Sequence, residues 1–340
     1  MLINTIKKIY KNPFNLNKKF GHNNCITDLQ LEININKVVS PANVLLTKNF
    51  IYKLIKYIEI TTQGNIIFQI NGIFIKSKIE LFLNKSGKKQ FKYLENDETL
   101  MDLSKNNTSF ILPLFLKNTL PLDGYNDNFL EILLNDKIFE LGIEMDIFVC
   151  ASLKSIDNLT NEFINKITLN SLQKINIESN KKVIKETIKF YGVLDYLCLY
   201  IDGDMEIDKI KLHANEYLLN EYSYNILNKL SPFIYLDDII PSEFLFISFN
   251  LHGQGGFDAS KIPTFDIEFQ LKKNNGGVIY LMSESKNIEF YQGGIYGFKF
   301  SGSQLFDYDY NLDLIHYKTM TSNNNEYDDI EDYSLICVYI

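Results

Sequence analysis

Phe110, Leu112, Leu114 and Leu116 alternate with their neighbours, and 135 residues later Leu245, Ile247, Phe249 and Leu251 do the same. Apolar side chains at every second position mark a strand with one buried face. At that spacing Asp123 falls on Asp258, and Leu130, Ile132 and Leu134 fall on Phe265, Ile267 and Phe269. Ile143, Met145 and Ile147 then fall on Val278, Tyr280 and Met282. A gap-free register over three strands predicts one fold written twice in the chain, and argues against a single body of mixed topology. Upstream the spacing becomes 131. Ile70-Asn71-Gly72 meets Ile201-Asp202-Gly203, each an Asx-Gly tight turn between apolar runs, and Ile79, Leu81 and Leu83 meet Ile210, Leu212 and Ala214. On this register Lys78, Glu80 and Phe82 in one copy, and Lys209, Lys211 and His213 in the other, point outward.

The divisions follow from the repeat. Residues 25–154 form the first unit and 180–300 the second, with 155–179 as a linker that is either a short helix (Leu159, Phe163, Ile164 and Ile167 have helical spacing) or an extra strand. Strands of the first unit are expected near 26–38, 49–61, 64–71, 73–84, 110–116, 128–135 and 141–151. Short alternating strands separated by turns at this interval imply an all-β chain: two tandem antiparallel eight-stranded jelly-roll β-sandwiches, with a few short helices in loops and linker. Long excursions, Lys85 to Ser109 and Glu216 to Ser242, sit at matching points and read as outward decoration. The composition agrees, with 25 Phe, 21 Tyr and no Trp in 340 residues.

Two ends fall outside the repeat. Residues 1–24 read as a basic amphipathic arm carrying Lys7, Lys8, Lys11, Lys18 and Lys19 with no acid before Asp28, so removal of residues 1–20 is expected to spare the fold. Residues 301–340 form a C-terminal extension, acidic over Glu326 to Tyr333 and apolar from Leu335 to Ile340, where a closing strand is expected. No run of 18 apolar residues occurs, and the N-terminus lacks the apolar core of a secretory signal. The net charge of −8 argues against general nucleic-acid binding, which needs surplus cations.

The residues that usually carry chemistry are scattered. His22, His213, His252 and His316 are far apart, and Cys25, Cys150, Cys198 and Cys337 form no CxxC pair. The cysteines are expected to be buried free thiols in a reducing compartment. Gly253-Gln254-Gly255-Gly256 lacks the helix and Lys of a phosphate loop, and Gly276-Gly277 and Gly293-Gly294 read as hairpin turns. Asp202, Asp204 and Glu206, and Asp237-Asp238, lack calcium-loop spacing and read as turn residues. Asp123 and Asp258 are expected to cap Asx turns in two separate loops. No catalytic residue, cofactor or metal site is assigned.

Phe110 to Leu134 (FILPLFLKNTLPLDGYNDNFLEILL) and Phe257 to Met282 (FDASKIPTFDIEFQLKKNNGGVIYLM) have a rhythm in which a Pro-bearing apolar stretch leads through a loop into another strand. In this the chain resembles the double jelly-roll major capsid proteins of tailless icosahedral viruses with an internal membrane, the compact phage-like type above all. The resemblance implies a non-enzymatic homotrimer that tiles a shell in the virion after assembly in the host cytoplasm. It would contact neighbouring capsomers and penton or minor capsid proteins, with the basic arm turned to the internal lipid membrane and no sequence-specific nucleic-acid binding. A two-domain carbohydrate-binding β-sandwich of the lectin or adhesin class is the alternative. A jelly-roll enzyme would need two convergent carboxylates or a His/Glu metal set.

Overall fold

The computed structural model describes residues 2–6, 14–21, 24–37, 44–46, 49–91, 108–116, 119–122, 127–135, 144–155, 163–249, 256–292, 295–298 and 315–317. The first roll runs β1 (Leu2–Ile6), β2 (Phe14–Asn15), α1 (Leu16–Phe20), β3 (Asn24–Lys37), β4 (Val44–Leu46), α2 (Phe50–Leu54), β5 (Ile55–Thr62) and β6 (Asn65–Ile70). It continues with α3 (Gly72–Phe82), α4 (Lys85–Phe91), β7 (Thr108–Pro113), β8 (Leu120–Leu122), β9 (Asn128–Leu134) and β10 (Glu144–Ser155). Two antiparallel sheets result, β1-β10-β3-β7 (with β8 also on β3) and β2-β9-β5-β6. Along β9 every second residue is buried, so Leu130, Ile132 and Leu134 enter the sandwich as the alternation requires.

The second roll contains β11 (Phe163–Ile177), β12 (Val183–Thr187), β13 (Val193–Leu194), β14 (Tyr196–Ala214) and β15 (Tyr217–Ser223). A π turn over Ile226–Leu230 leads into α5 (Ser231–Leu236), then β16 (Phe244–Ser248), β17 (Phe257–Asp258), β18 (Phe265–Gln292) and β19 (Ile295–Phe298). Last comes β20 (Ile315–Tyr317), paired with β4 of the first roll. The long strands β14 and β18 serve both sheets. Their Tyr196–Tyr200 and Val278–Met282 ends complete β16-β14-β18-β11, and their other ends complete β12-β18-β14-β15. Leu197, Leu199, Ile279 and Leu281 from the first sheet meet Ile210, Leu212, Ile267 and Phe269 from the second in one core. The fold-over lies at Gly203 and Gly277, which face each other in the ladder. A Cβ on Gly203 would stand 2.8 Å from the Cα of Gly277, so neither position admits a side chain.

Several expectations need correction. The described part of residues 1–24 is no free arm: β1 pairs with β10 along its whole length, β2 pairs with β9, and Leu16 and Phe20 of α1 are buried in the first core. Removing residues 1–20 would therefore strip strands from both sheets. Residues 155–179 are not a linker, since Phe163–Ile177 is β11, paired over fifteen residues with β18. Gly276-Gly277 is a bend within β18 rather than a hairpin turn, and Asp202-Gly203 is a bulge within β14. Tyr217–Ser223, placed in a loop excursion, is strand β15.

Strand 73–84 is helix α3. Asn71 does not turn a hairpin but caps this helix, its side chain accepting from the Phe74 N–H at 2.7 Å. Ten of its eleven residues are buried. A helix enclosed on all sides shows no 3.6-residue stripe, and its Ile79-x-Leu81 spacing imitated a strand. Lys78 and Glu80 consequently point inward.

The upstream spacing of 131 fails with it. The true counterpart of hairpin β5-β6, turning at Gln63-Gly64, is the hairpin β14-β15, turning at Asn215-Glu216, with positive φ at both central residues in each. These lie 152 residues apart, and a helical segment follows in both rolls. The spacing of 135 holds for β7 with β16 and for β9 with the first part of β18. In the last strand it slips by one: Met145 and Ile147 face their own core, whereas Tyr280 and Met282 face the other roll.

Candidate functional site

In sheet β16-β14-β18-β11 one set of side chains fills the second core and the other set leaves the roll. The outward set, including Tyr196, Tyr200, Phe244, Phe246, Tyr280 and Met282, joins the first roll's hydrophobic cluster. Helix α3 is thus held between its own sandwich and the neighbouring roll's sheet. Phe82 meets Tyr196 edge-on with centroids 5.3 Å apart, and Lys76 Nζ lies 5.4 Å from the ring centroids of both Tyr200 and Phe244.

Lysines of the first roll cross this seam to carboxylates of the second. Lys78 Nζ is 2.8 Å from Glu284 Oε1, their side chains 2% and 0% exposed. Lys78 also donates to Asn170 Oδ1 at 3.1 Å, and Asn170 Nδ2 donates back across the seam to the Gln69 carbonyl at 2.9 Å. Lys76 pairs with Glu243 at 3.2 Å, Lys53 with Asp202 at 3.1 Å and Lys88 with Asp238 at 2.7 Å. Asn49 Nδ2 donates to the buried Tyr200 hydroxyl at 3.0 Å. The Lys88 hydrogen bond holds the Asp238 carboxyl below the usual carboxylate range. Two charges this deep gain little net stability as a pair, but each fixes where the other must sit.

Beside the seam an open cleft of about 670 Å³ carries four carboxylates, of Asp202, Glu206, Asp208 and Glu243. Three are matched by lysines: Asp202 by Lys53, Glu243 by Lys76 and Asp208 by Lys272 at 3.1 Å. Asp204 is exposed and accepts from Lys273 at 2.8 Å and Asn275 at 2.5 Å, which hold it below the ordinary carboxylate range. Among the described residues no three His, Cys, Asp or Glu side chains are grouped to hold a metal ion. Cys25, Cys150 and Cys198 are buried free thiols, and burial pushes each thiol up, away from the reactive thiolate. His213 Nε2 lies 3.6 Å from Glu268. Asp258 receives Ser260 Oγ at 2.5 Å and pairs with Lys261 at 3.0 Å, a local turn contact. Asp123, Cys337, His22, His252 and residues 293–294 lie outside the described residues.

Of the five lysines singled out in the sequence, Lys18 and Lys19 sit exposed on α1, where Asn15 caps the helix by accepting from the Lys18 N–H. Lys7, Lys8 and Lys11 lie outside the described residues. Of the lysines that join the rolls, Lys53 and Lys76 were not singled out, and Lys78 was read as an outward-facing strand residue. Their partners are about 150 to 210 residues away, and only the sight of lysines inside an apolar run could have drawn attention to them.

A last surface belongs with the site. Of thirteen large apolar side chains exposed among the described residues, nine fall between Tyr217 and Ile239, on β15 and the helical segment after it. Tyr217 is 79% exposed, Phe233 61%, Ile234 57% and Ile239 73%. So dense a patch marks a contact surface and not ordinary scatter.

No protein-family model and no curated protein matches the sequence. Among solved structures the chain is similar to a chain of the PBCV-1 virus capsid, with a TM-score of 0.69 and 12% identity over 88% of this chain and 97% of that one. It is similar to a chain in the structure of the Sputnik virophage, with a TM-score of 0.56 and 9% identity over 94% and 92%. It is also similar to the Faustovirus major capsid protein, with a TM-score of 0.51 and 8% identity over 84% and 86%. The lectin alternative gains no support from these likenesses. With facing antiparallel sheets in each sandwich and two sandwiches in tandem, the chain is a double jelly roll of the architecture found in viral major capsid proteins.

Proposed function

We propose that this protein is a structural capsid subunit without catalytic activity, which trimerises into pseudo-hexagonal tiles of an icosahedral shell. The observation that carries this reading is the pair of rolls locked side by side through α3, with a broad apolar face left open on the second roll. Three such chains present six similar lobes, so a threefold assembly can fill a sixfold lattice position. Neighbouring capsomers and penton or minor capsid proteins are its partners, and its place is the virion, after assembly in the host cytoplasm. The net charge of −8 suits a wall that does not itself bind the genome. Light scattering on the purified chain is expected to give about three times the 39.6 kDa chain mass; a stable monomer at micromolar concentration would sink the reading.

The internal membrane is the proposed neighbour of the lysine-rich N-terminal segment. Lys18 and Lys19 stand exposed on α1, and Lys7, Lys8 and Lys11 are close in sequence. Each lysine near an anionic surface contributes about 1 kcal/mol. Because deletion would remove β1 and β2, charge reversal is the cleaner test. Changing Lys7, Lys8, Lys11, Lys18 and Lys19 to Glu should leave the fold intact and abolish co-flotation with phosphatidylserine vesicles. Unchanged flotation would remove the membrane role.

A further inference from the structure

We infer that the apolar face of β15 and α5 is closed by a second copy of this chain. That copy lays the outer face of its β1-β10-β3-β7 sheet there, repeating between chains the contact that joins the rolls within one. This inference rests on the capsid-subunit reading and assigns its assembly surface.

The occupant is argued from the repeat. In the first roll the corresponding face, β6 and α3, is covered by the second roll's β16-β14-β18-β11 sheet: Phe68, Gln69 and Ile70 are buried, as is α3 from Gly72 to Leu81. In the second roll no described residue covers β15 from Tyr217 to Glu221, and Phe233 and Ile234 of the following helix are exposed as well. The covering surface also has a counterpart. The row Phe110–Ile33–Ile147 across β7, β3 and β10 matches Leu245–Leu199–Leu281 across β16, β14 and β18. One residue outward from these rows, Ile111 stands where the seam has Phe246, and Phe148 where it has Met282. Ile111 is 45% exposed and Phe148 partly so. A chain that presents both halves of a contact can use them head to tail, and the contact either closes into a ring or runs on as a filament.

Charge agrees with the pairing. Within the chain the α3 lysines meet Glu243 and Glu284. On the open face Lys229 is exposed beside Ile226 and Leu230, and the outer face of the first roll offers Glu32 and Asp146. An anionic bilayer fits less well, because the patch carries Glu221 and Asp237 and no surplus of lysine.

Two variants test this. Phe233→Asp with Ile234→Asp alters only exposed side chains, so the chain should keep its circular dichroism while its light-scattering mass falls from three chains to one. Phe233→Cys with Ile111→Cys, in an otherwise unaltered chain, should give a reducible covalent trimer on a denaturing gel under mild oxidant. A double-Asp variant that stays trimeric, together with no cross-link, overturns this surface while leaving the capsid-subunit reading in place. A monomeric wild-type chain overturns both. Should the double-Asp variant prove insoluble, the cross-link alone decides, its presence supporting the surface and its absence refuting it.

Discussion

Ile267→Asp is expected to leave no soluble native protein. Ile267 is wholly buried among Leu212, Phe265 and Phe269 in the second core. The substitution gives up roughly 1.5–3 kcal/mol of apolar burial. It also places a carboxyl group where no partner stands, at a further cost of several kcal/mol. Domains of ordinary stability hold only about 5–15 kcal/mol in reserve. Ile132→Asp should do the same to the first roll, because Ile132 is 3% exposed at the matching position of β9. Ile267→Val, which deletes one methylene, should lower stability by only about 0.5–1.5 kcal/mol. The comparison is read from soluble yield and from denaturant midpoints. A soluble Ile267→Asp protein with a wild-type midpoint would mean that β18 has the wrong face inward.

The second large effect concerns the seam. Lys78→Met leaves Glu284 fully buried without its cation, and breaking a buried pair from one side costs about 3–5 kcal/mol. Glu284→Leu alone strands Lys78 in the same way. The double variant Lys78→Met/Glu284→Leu should recover most of the loss, because an apolar pair of similar volume needs no desolvation. The denaturant midpoints of the four proteins form a thermodynamic cycle, and a coupling of at least about 2 kcal/mol is expected. Coupling near zero would show that the two rolls do not depend on this contact. The result also bears on the proposed assembly, since a loosened seam would let the two rolls rotate against each other.

How far the sequence led can be judged strand by strand. Strands β7 and β9 and their counterparts in the second roll were legible because each buries one face, and a period of two survives substitution of one apolar residue for another. The doubling was legible for the same reason, at a spacing of 135. Helix α3 was not, because burial on every side erases the helical stripe and leaves Ile79-x-Leu81 to be read as a strand. The error then moved the upstream register by about twenty residues and hid the equivalence of hairpins β5-β6 and β14-β15. The N-terminal strands were hidden by their lysines: β1 is short, and the charges after it suggested a solvated arm. Gly203 and Gly277 looked like turn signals, although their task is to let two long strands bend against each other.

The site itself was legible only in part. Expected buried cysteines are found where described, but the lysine–carboxylate pairs of the seam depend on contacts across 150 or more residues, which no local pattern encodes. The open apolar face had a local signal that went unused. Ile226 to Ile240 is rich in Leu, Ile, Phe and Tyr within a stretch read as loop, and a loop decorated with large apolar side chains is itself a sign of a partner.

The central claim, that two copies of one sandwich sit side by side and assemble in threes, is met most directly by electron microscopy of the purified oligomer viewed along its symmetry axis. The account predicts a disc of six near-equivalent lobes, with threefold symmetry alternating between first and second rolls. A particle with two or four lobes, or six lobes without threefold symmetry, would contradict it.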